Sequence, residues 1–226
     1  MIQSDDEAKA WLSGVLGISD VAMSRLSRLA DLLIAANAQQ NLVAQSTLPH
    51  IWRRHIADSA QLLRISREAV PQGPWLDLGT GAGFPGLIIA ALEPERPITL
   101  VDSRRLRTAW LAYACTELGL AQAEVLTLRV EDLPSTKWCV ISARAFAPLD
   151  QLLALSSRFS TPETLWLLPK GAKAANELKM LSPQWDHLFH VEQSLTDPAA
   201  GIIVGRLKDS PQAQSISRRY QRGSNR

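Results

Sequence analysis

Apolar positions recur at two different periods along this chain, and the change comes at Trp75. Before it, the spacing is helical. Val21–Asn37 sets Leu26, Leu29 and Leu33 on one face, with Ser19 or Asp20 available as N-cap. A polar break, Asn37–Thr47, separates it from a second long helix expected to begin at Pro49, a residue suited to a first turn. That helix carries Trp52, Ile56 and Leu63 at helical spacing, and Gln72-Gly73-Pro74 closes it. From Trp75 onward short apolar runs take over: WLDLG, PITLVD at 97–102, EVLTLR at 124–129, WCVISARA at 138–145 and TLWLLPK at 164–170. Helical stretches Gly86–Leu92, Arg104–Leu118 and Leu149–Ser157 lie between them. Such alternation predicts βαβ units around a parallel sheet, and runs apolar on both sides predict strands covered on both faces. HLFHVEQ (187–193) and GIIVGRLK (201–208), joined by a turn-rich TDPAA, predict a closing antiparallel hairpin.

The expected organisation is therefore a helical extension over 1–70, an α/β domain over 71–208, and a tail over 209–226. The tail sets Arg218, Arg219, Arg222 and Arg226 against a single Asp and is expected to be a disordered basic segment. With 226 residues, 46% hydrophobic and 20% charged, the chain suits one ordinary α/β domain plus an extension. The apolar stretch Leu87–Leu92 falls far short of the roughly 20 residues that span a bilayer. The acidic opening MIQSDDEAKAW does not resemble a signal peptide. Cys115 and Cys139 are too few for a disulfide framework or a four-cysteine zinc site, and are expected to be packed thiols in a reducing cytoplasm. His187 and His190 lack companions at ligand spacing, so no metal is expected. A net charge of +2 announces no nucleic-acid partner by itself.

The strongest local signal is Trp75-Leu-Asp-Leu-Gly-Thr-Gly-Ala-Gly-Phe-Pro-Gly86, a strand running into a glycine turn that opens a helix. Glycine permits close backbone approach to a ligand, and a helix N-terminus offers free N–H groups. Gly81, Gly83 and Gly86 satisfy a G-x-G-x-x-G pattern with Asp102 ending the next strand, so a dinucleotide site is one reading. Two details favour S-adenosylmethionine instead. The loop is longer, beginning at Gly79. Asp77 also stands where its carboxylate would repel a pyrophosphate but suit the ammonium of a methionine moiety, directly or through water. On this reading Asp77, Gly79 and Gly81 hold the methionine end, Asp102 takes the ribose hydroxyls, and the Val130-Glu131-Asp132 turn meets the adenine. The plainer alternative is a structural βα turn in which Asp77 caps the helix.

These residues resemble a known family. LDLGTGAGFPG, VDS at 101–103, RVEDLP at 129–134, SARAFAPL at 142–149, LPKG at 168–171 and RRHIADS at 53–59 together look like the small-subunit ribosomal RNA guanine-N7 methyltransferases (RsmG, formerly glucose-inhibited division protein B). The resemblance runs from about Asn41 to Gly171. It implies a Rossmann-like class I S-adenosylmethionine-dependent methyltransferase acting at N7 of one guanine near the decoding site of 16S rRNA, in the small subunit or its assembly intermediate. It assigns cofactor contacts to Gly79, Phe84, Val130, Glu131 and Arg144, and a cytoplasmic monomer is expected. One departure is Gln40-Asn41-Leu42, where the family commonly has an aromatic before Asn-Leu.

The chemistry fits an absence in the sequence. Guanine N7 already presents an in-plane lone pair, so no base is needed, and alignment alone can supply up to ~7–11 kcal/mol of the barrier. The chain has no Asn-Pro-Pro-Tyr/Phe segment for an exocyclic amine and no Pro-Cys nucleophile for a pyrimidine carbon. Candidate RNA contacts are Arg53 and His55 on the second helix, Phe146 as a base-stacking ring, and Lys170 past the fifth strand. Against these stand plain readings: Arg54 pairing with Asp58 on the helix surface, and Lys170 as an ordinary exposed lysine. Arg144 is expected to position cofactor or phosphate. A guanidinium set against N7 itself would oppose formation of the cationic product.

Overall fold

In a computed structural model that describes residues 1–70, 72–181 and 189–208, the chain forms one seven-stranded sheet wrapped by helices. Two helices open it, α1 (Asp5–Gly14) and α2 (Asp20–Asn37). Ser4 and Ser19 cap them, each side chain accepting from the backbone N–H three residues on. The second predicted helix is more elaborate than a single α-helix. Pro49 sits inside a 3₁₀ turn, Gln45–His50, followed by a π-helical turn, Trp52–Ala57, and only then by α3 (Asp58–Ala69). Both Asp5 carboxylate oxygens accept from the backbone, at Trp52 (3.2 Å) and Arg53 (2.9 Å), which satisfies donors that the wide turn leaves free.

The sheet comprises β1 (Trp75–Leu78), β2 (Ile98–Asp102), β3 (Ala123–Thr127), β4 (Val140–Ala143), β5 (Leu165–Gly171), β6 (Phe189–Gln193) and β7 (Gly201–Gly205). Its order is β3-β2-β1-β4-β5-β7-β6, with the first five parallel and β7 antiparallel to both neighbours. The crossover helices are α4 (Gly86–Leu92), α5 (Arg105–Glu117) and α6 (Leu149–Ser156), joined by a short α7 (Ala174–Lys179) that the patterning did not announce. The closing hairpin is present. It inserts β7 between β5 and the edge strand β6.

This is the doubly wound, Rossmann-like architecture that the alternation predicts. Its core lies on both sides of the sheet. On one side Leu12, Leu26, Leu29 and Leu33 of α1 and α2 and Leu62 and Leu63 of α3 join Trp75, Ile88 and Leu111 in one unbroken cluster. The other side packs Leu76, Ile141, Leu152, Phe159 and Trp166. Strand order reverses between β1 and β4, so the loops leaving their carboxyl ends diverge and open a crevice there. Cys115 is buried and Cys139 half-buried. His187 and the basic 209–226 segment lie outside the described residues.

Candidate functional site

The loop after β1 is built to expose backbone. Gly79, Gly81 and Gly83 hold φ of +64°, +59° and +107°, and a Cβ on Gly79 would stand 2.4 Å from Phe146 Cδ2. Beneath the loop runs a buried chain of hydrogen bonds. Trp75 Nε1–H donates to Ser142 Oγ (2.7 Å), and the Ser142 hydroxyl donates to Asp77 Oδ1 (2.6 Å). Gly86 N–H donates to Asp77 Oδ2 (3.0 Å), fastening the start of α4 to β1. Asp77 is fully buried, and burial pushes its carboxyl up to about 6 against its hydrogen bonds to Ser142 and Gly86. Beside the reading of Asp77 as meeting an ammonium, directly or through water, the geometry shows both its oxygens accepting from the protein, as in the helix-capping alternative. The Asp77 side chain anchors the loop from below and does not line the crevice.

The crevice over the loop encloses about 660 Å³. Gly79, Gly81, Phe84, Asp102, Val130, Glu131, Arg144 and Phe146 all line it. Asp102 accepts from Gly81 N–H (3.0 Å) and Arg104 N–H (2.8 Å), so it supports the loop while facing the crevice. Val130 opens a 3₁₀ turn, Val130–Asp132, and is buried. Phe84 contributes less free surface than expected: His55 stacks on its ring at 4.9 Å and the Arg144 guanidinium lies 4.9 Å from the same centroid. Leu42 and Val43 complete the wall near the segment that departs from the resembled pattern. A cradle of left-handed glycines, two carboxylates and an apolar shelf at Val101, Leu128 and Val130 fits a ligand with ribose, a flat base and cationic groups.

Arg158, which sequence reading missed, pins the far wall. Its guanidinium donates to the carbonyls of Val130 (2.7 Å), Glu131 (3.0 Å) and Leu133 (2.7 Å), and to Ser135 Oγ (3.0 Å). No local motif could have announced it, because its partners stand 23–28 residues away. Arg158→Lys keeps the charge and loses the fork. The expected result is an S-adenosylmethionine Kd raised about tenfold, roughly the worth of one charge-assisted hydrogen bond, with kcat at saturating cofactor preserved. An unchanged Kd in calorimetry would sink this role.

The candidate RNA contacts fare unevenly. Arg53 does not line the crevice, and its Nη1 donates to the Gln3 carbonyl (2.9 Å). His55 is buried between Thr47, 2.8 Å from its Nε2, and Phe84. Burial and the nearby Arg144 and Arg54 charges push its pKa down to about 3, which favours the neutral ring. Lys170 is neither exposed nor free. Its ammonium donates to the Ala147 carbonyl (2.7 Å) and pairs with Glu177 (3.0 Å), bracing the loop after β4. Phe146 lies across Gly79. The alternative Arg54–Asp58 pair does not form: Arg54 binds Asp197 (3.0 Å), while Asp58 faces Arg144 (3.5 Å) and accepts from Thr196 Oγ1 (2.7 Å) and Gln61 Nε2 (3.0 Å).

A family model described as rRNA small subunit methyltransferase G matches residues 22–200. The chain is 65% identical over 213 residues to a protein of Novosphingobium aromaticivorans named Ribosomal RNA small subunit methyltransferase G, covering 94% of this chain and 93% of that one. A protein of the same name from Erythrobacter litoralis is 50% identical over 91% of this chain and 98% of its own. Among solved structures, precorrin-6y C5,15-methyltransferase from Geobacter metallireducens superposes with a TM-score of 0.50 at 14% identity, over 74% of this chain and 92% of that one. The ribosomal protein L11 methylase of Lactobacillus delbrueckii subsp. bulgaricus gives 0.51 at 14%, over 66% and 77%. At such identities the likeness is one of fold.

Proposed function

The chain belongs to the rRNA small subunit methyltransferase G family, and from that membership we propose the reaction it runs: methylation of N7 of one guanine in 16S rRNA, near the decoding site. Its donor is S-adenosylmethionine and its substrate small-subunit rRNA. The observation that carries the cofactor's placement is the crevice at the strand reversal, where the glycine cradle, Asp102 and the Val130–Glu131 turn converge. Bound there, the cofactor supplies an electrophilic methyl group on a cationic sulfur.

The remaining work is the protein's. Gly79 and Gly81 present backbone to the methionine end, Asp102 accepts from ribose hydroxyls, and the Val130–Glu131 backbone meets the adenine edge. Among the lining residues no histidine, cysteine or lysine faces the crevice to move a proton, which suits an acceptor nitrogen that carries none. Rate enhancement then rests on alignment and exclusion of water. The enzyme is proposed to act as a monomer in the cytoplasm on the small subunit or an assembly intermediate, with the helices up to residue 70 shaping the RNA side.

Mapping 7-methylguanine in small-subunit rRNA from cells with and without this protein tests the reading. The expected result is one 7-methylguanine that vanishes with the protein and returns with the wild-type gene. An unchanged modification map overturns it.

A further inference from the structure

A second cavity, of about 840 Å³, lies beside the cofactor crevice, and five consecutive residues, Arg144–Pro148, line both. The loop that carries these shared residues is firmly held. Ala145 adopts a left-handed φ of +53°, Lys170 grips the Ala147 carbonyl, and Glu177 accepts from Leu149 N–H (3.0 Å). Three ion pairs stand in the second cavity: Arg54–Asp197, Arg144–Asp58 and Lys170–Glu177. Lys173 is exposed at its edge and forms no ion pair among the described residues. Among the described residues the chamber thus offers one uncompensated positive charge and the Phe146 ring. That combination suits a nucleotide, a flat base with a single phosphodiester charge.

Building on the methyltransferase reading, we propose that this cavity receives the target purine nucleotide and that Asp58 is the positioning residue that makes it hospitable to a cationic base. As N7 attacks, its lone pair forms the N–CH₃ bond while the CH₃–S bond breaks and leaves its electron pair on sulfur. Positive charge passes from the sulfur on the crevice side to the base on the cavity side, past the shared loop, and no proton moves. Arg144 faces both chambers, so left alone it would resist positive charge on the base. Asp58 lines only the receiving chamber. Its Oδ1 is committed to Thr196 and Gln61, which fixes the side chain, while Oδ2 faces Arg144 at a loose 3.5 Å. The carboxylate offsets the guanidinium and attracts the charge as it arrives, an interaction stronger after transfer than before it.

Three measurements test this on the full-length enzyme. Titrated at pH 6, where the 7-methylated base keeps its positive charge, the wild type should bind 7-methylguanosine monophosphate several-fold more tightly than guanosine monophosphate. Asp58→Asn, which preserves acceptance from Thr196 and Gln61, should erase or invert that preference. In single-turnover transfer to small subunits, Asp58→Asn should be about 10–100-fold slower with its S-adenosylmethionine Kd within threefold of wild type. Adding Arg144→Gln to Asp58→Asn should recover part of the rate, since the uncompensated charge is then gone; a purely structural role predicts a further loss. At saturating S-adenosylmethionine, a double variant no faster than Asp58→Asn, or an Asp58→Asn enzyme with wild-type rate and nucleotide preference, overturns the inference alone. A wild-type enzyme that binds cofactor yet methylates no subunit RNA overturns the functional reading and this inference with it.

Discussion

Asp77→Ala should unfold the enzyme more readily and abolish cofactor binding, while Asp77→Asn should spare most of both. The carboxylate satisfies two buried donors, Gly86 N–H and the Ser142 hydroxyl. Alanine strands them, at about 1–3 kcal/mol each, so a loss of roughly 3–5 kcal/mol of stability is expected. It also frees the start of α4 from β1, so the glycine loop loses its seat and the S-adenosylmethionine Kd should rise more than about 100-fold. Asparagine keeps an acceptor, and its Kd should stay within about tenfold. A hundredfold loss with asparagine in a stably folded protein would restore the idea that the charge itself meets the ammonium.

The same residue carries a pH signature. Burial raises the Asp77 carboxyl to about 6, above the ordinary carboxylate range. The folded state therefore holds this proton more tightly than the unfolded chain does. Acidification from pH 7 through 6 toward 4 should favour the wild type over the non-titrating Asp77→Asn by about 2–3 kcal/mol. Denaturant unfolding of both proteins across that range isolates the contribution, because every other titrating group is common to the pair. Parallel profiles would show that the folded-state proton affinity is ordinary.

Gly79→Val is the second large effect. The position has a left-handed φ of +64°, and a Cβ there would meet Phe146 at 2.4 Å. Backbone strain and overpacking together cost about 2–5 kcal/mol. Relief requires Phe146 to move, which alters the lining of both cavities at once. The expected outcome is an S-adenosylmethionine Kd at least about 100-fold higher and methyl transfer below detection. Gly81→Val differs instructively, since the nearest protein atom to its Cβ is the Gly79 carbonyl oxygen at 3.8 Å. Its side chain meets open space in the crevice, so it should weaken cofactor binding with less loss of stability. Equal thermal stability for both variants would contradict the packing argument.

Local chemistry made the strands, the crossover helices and the glycine turn legible. Runs such as ITLVD and WLDL have few ways to hide apolar side chains on both faces other than a central strand, and helix α4 falls at Gly86–Leu92 as patterned. The π-helical turn at Trp52–Ala57 left no such trace. It depends on Asp5 accepting from two backbone groups some 47 residues away, and no window of sequence contains that pairing.

The electrostatic partners were equally invisible. Arg54 and Asp58 stand four apart on one helix, so sequence proximity pairs them, yet each finds a closer match across the fold, in Asp197 and Arg144. Lys170 and His55 read as available cations because residue type sets charge in water. Burial against Glu177 in one case and Phe84 in the other redirects them to support. The sequence by itself determined the architecture and the glycine turn beneath the crevice, because hydrophobic period and glycine stereochemistry are properties of short segments. Which charges face the crevice, which are cancelled and which merely hold a loop was decided only by tertiary structure, because an ion's role depends on the dielectric and partners that distant segments bring to it.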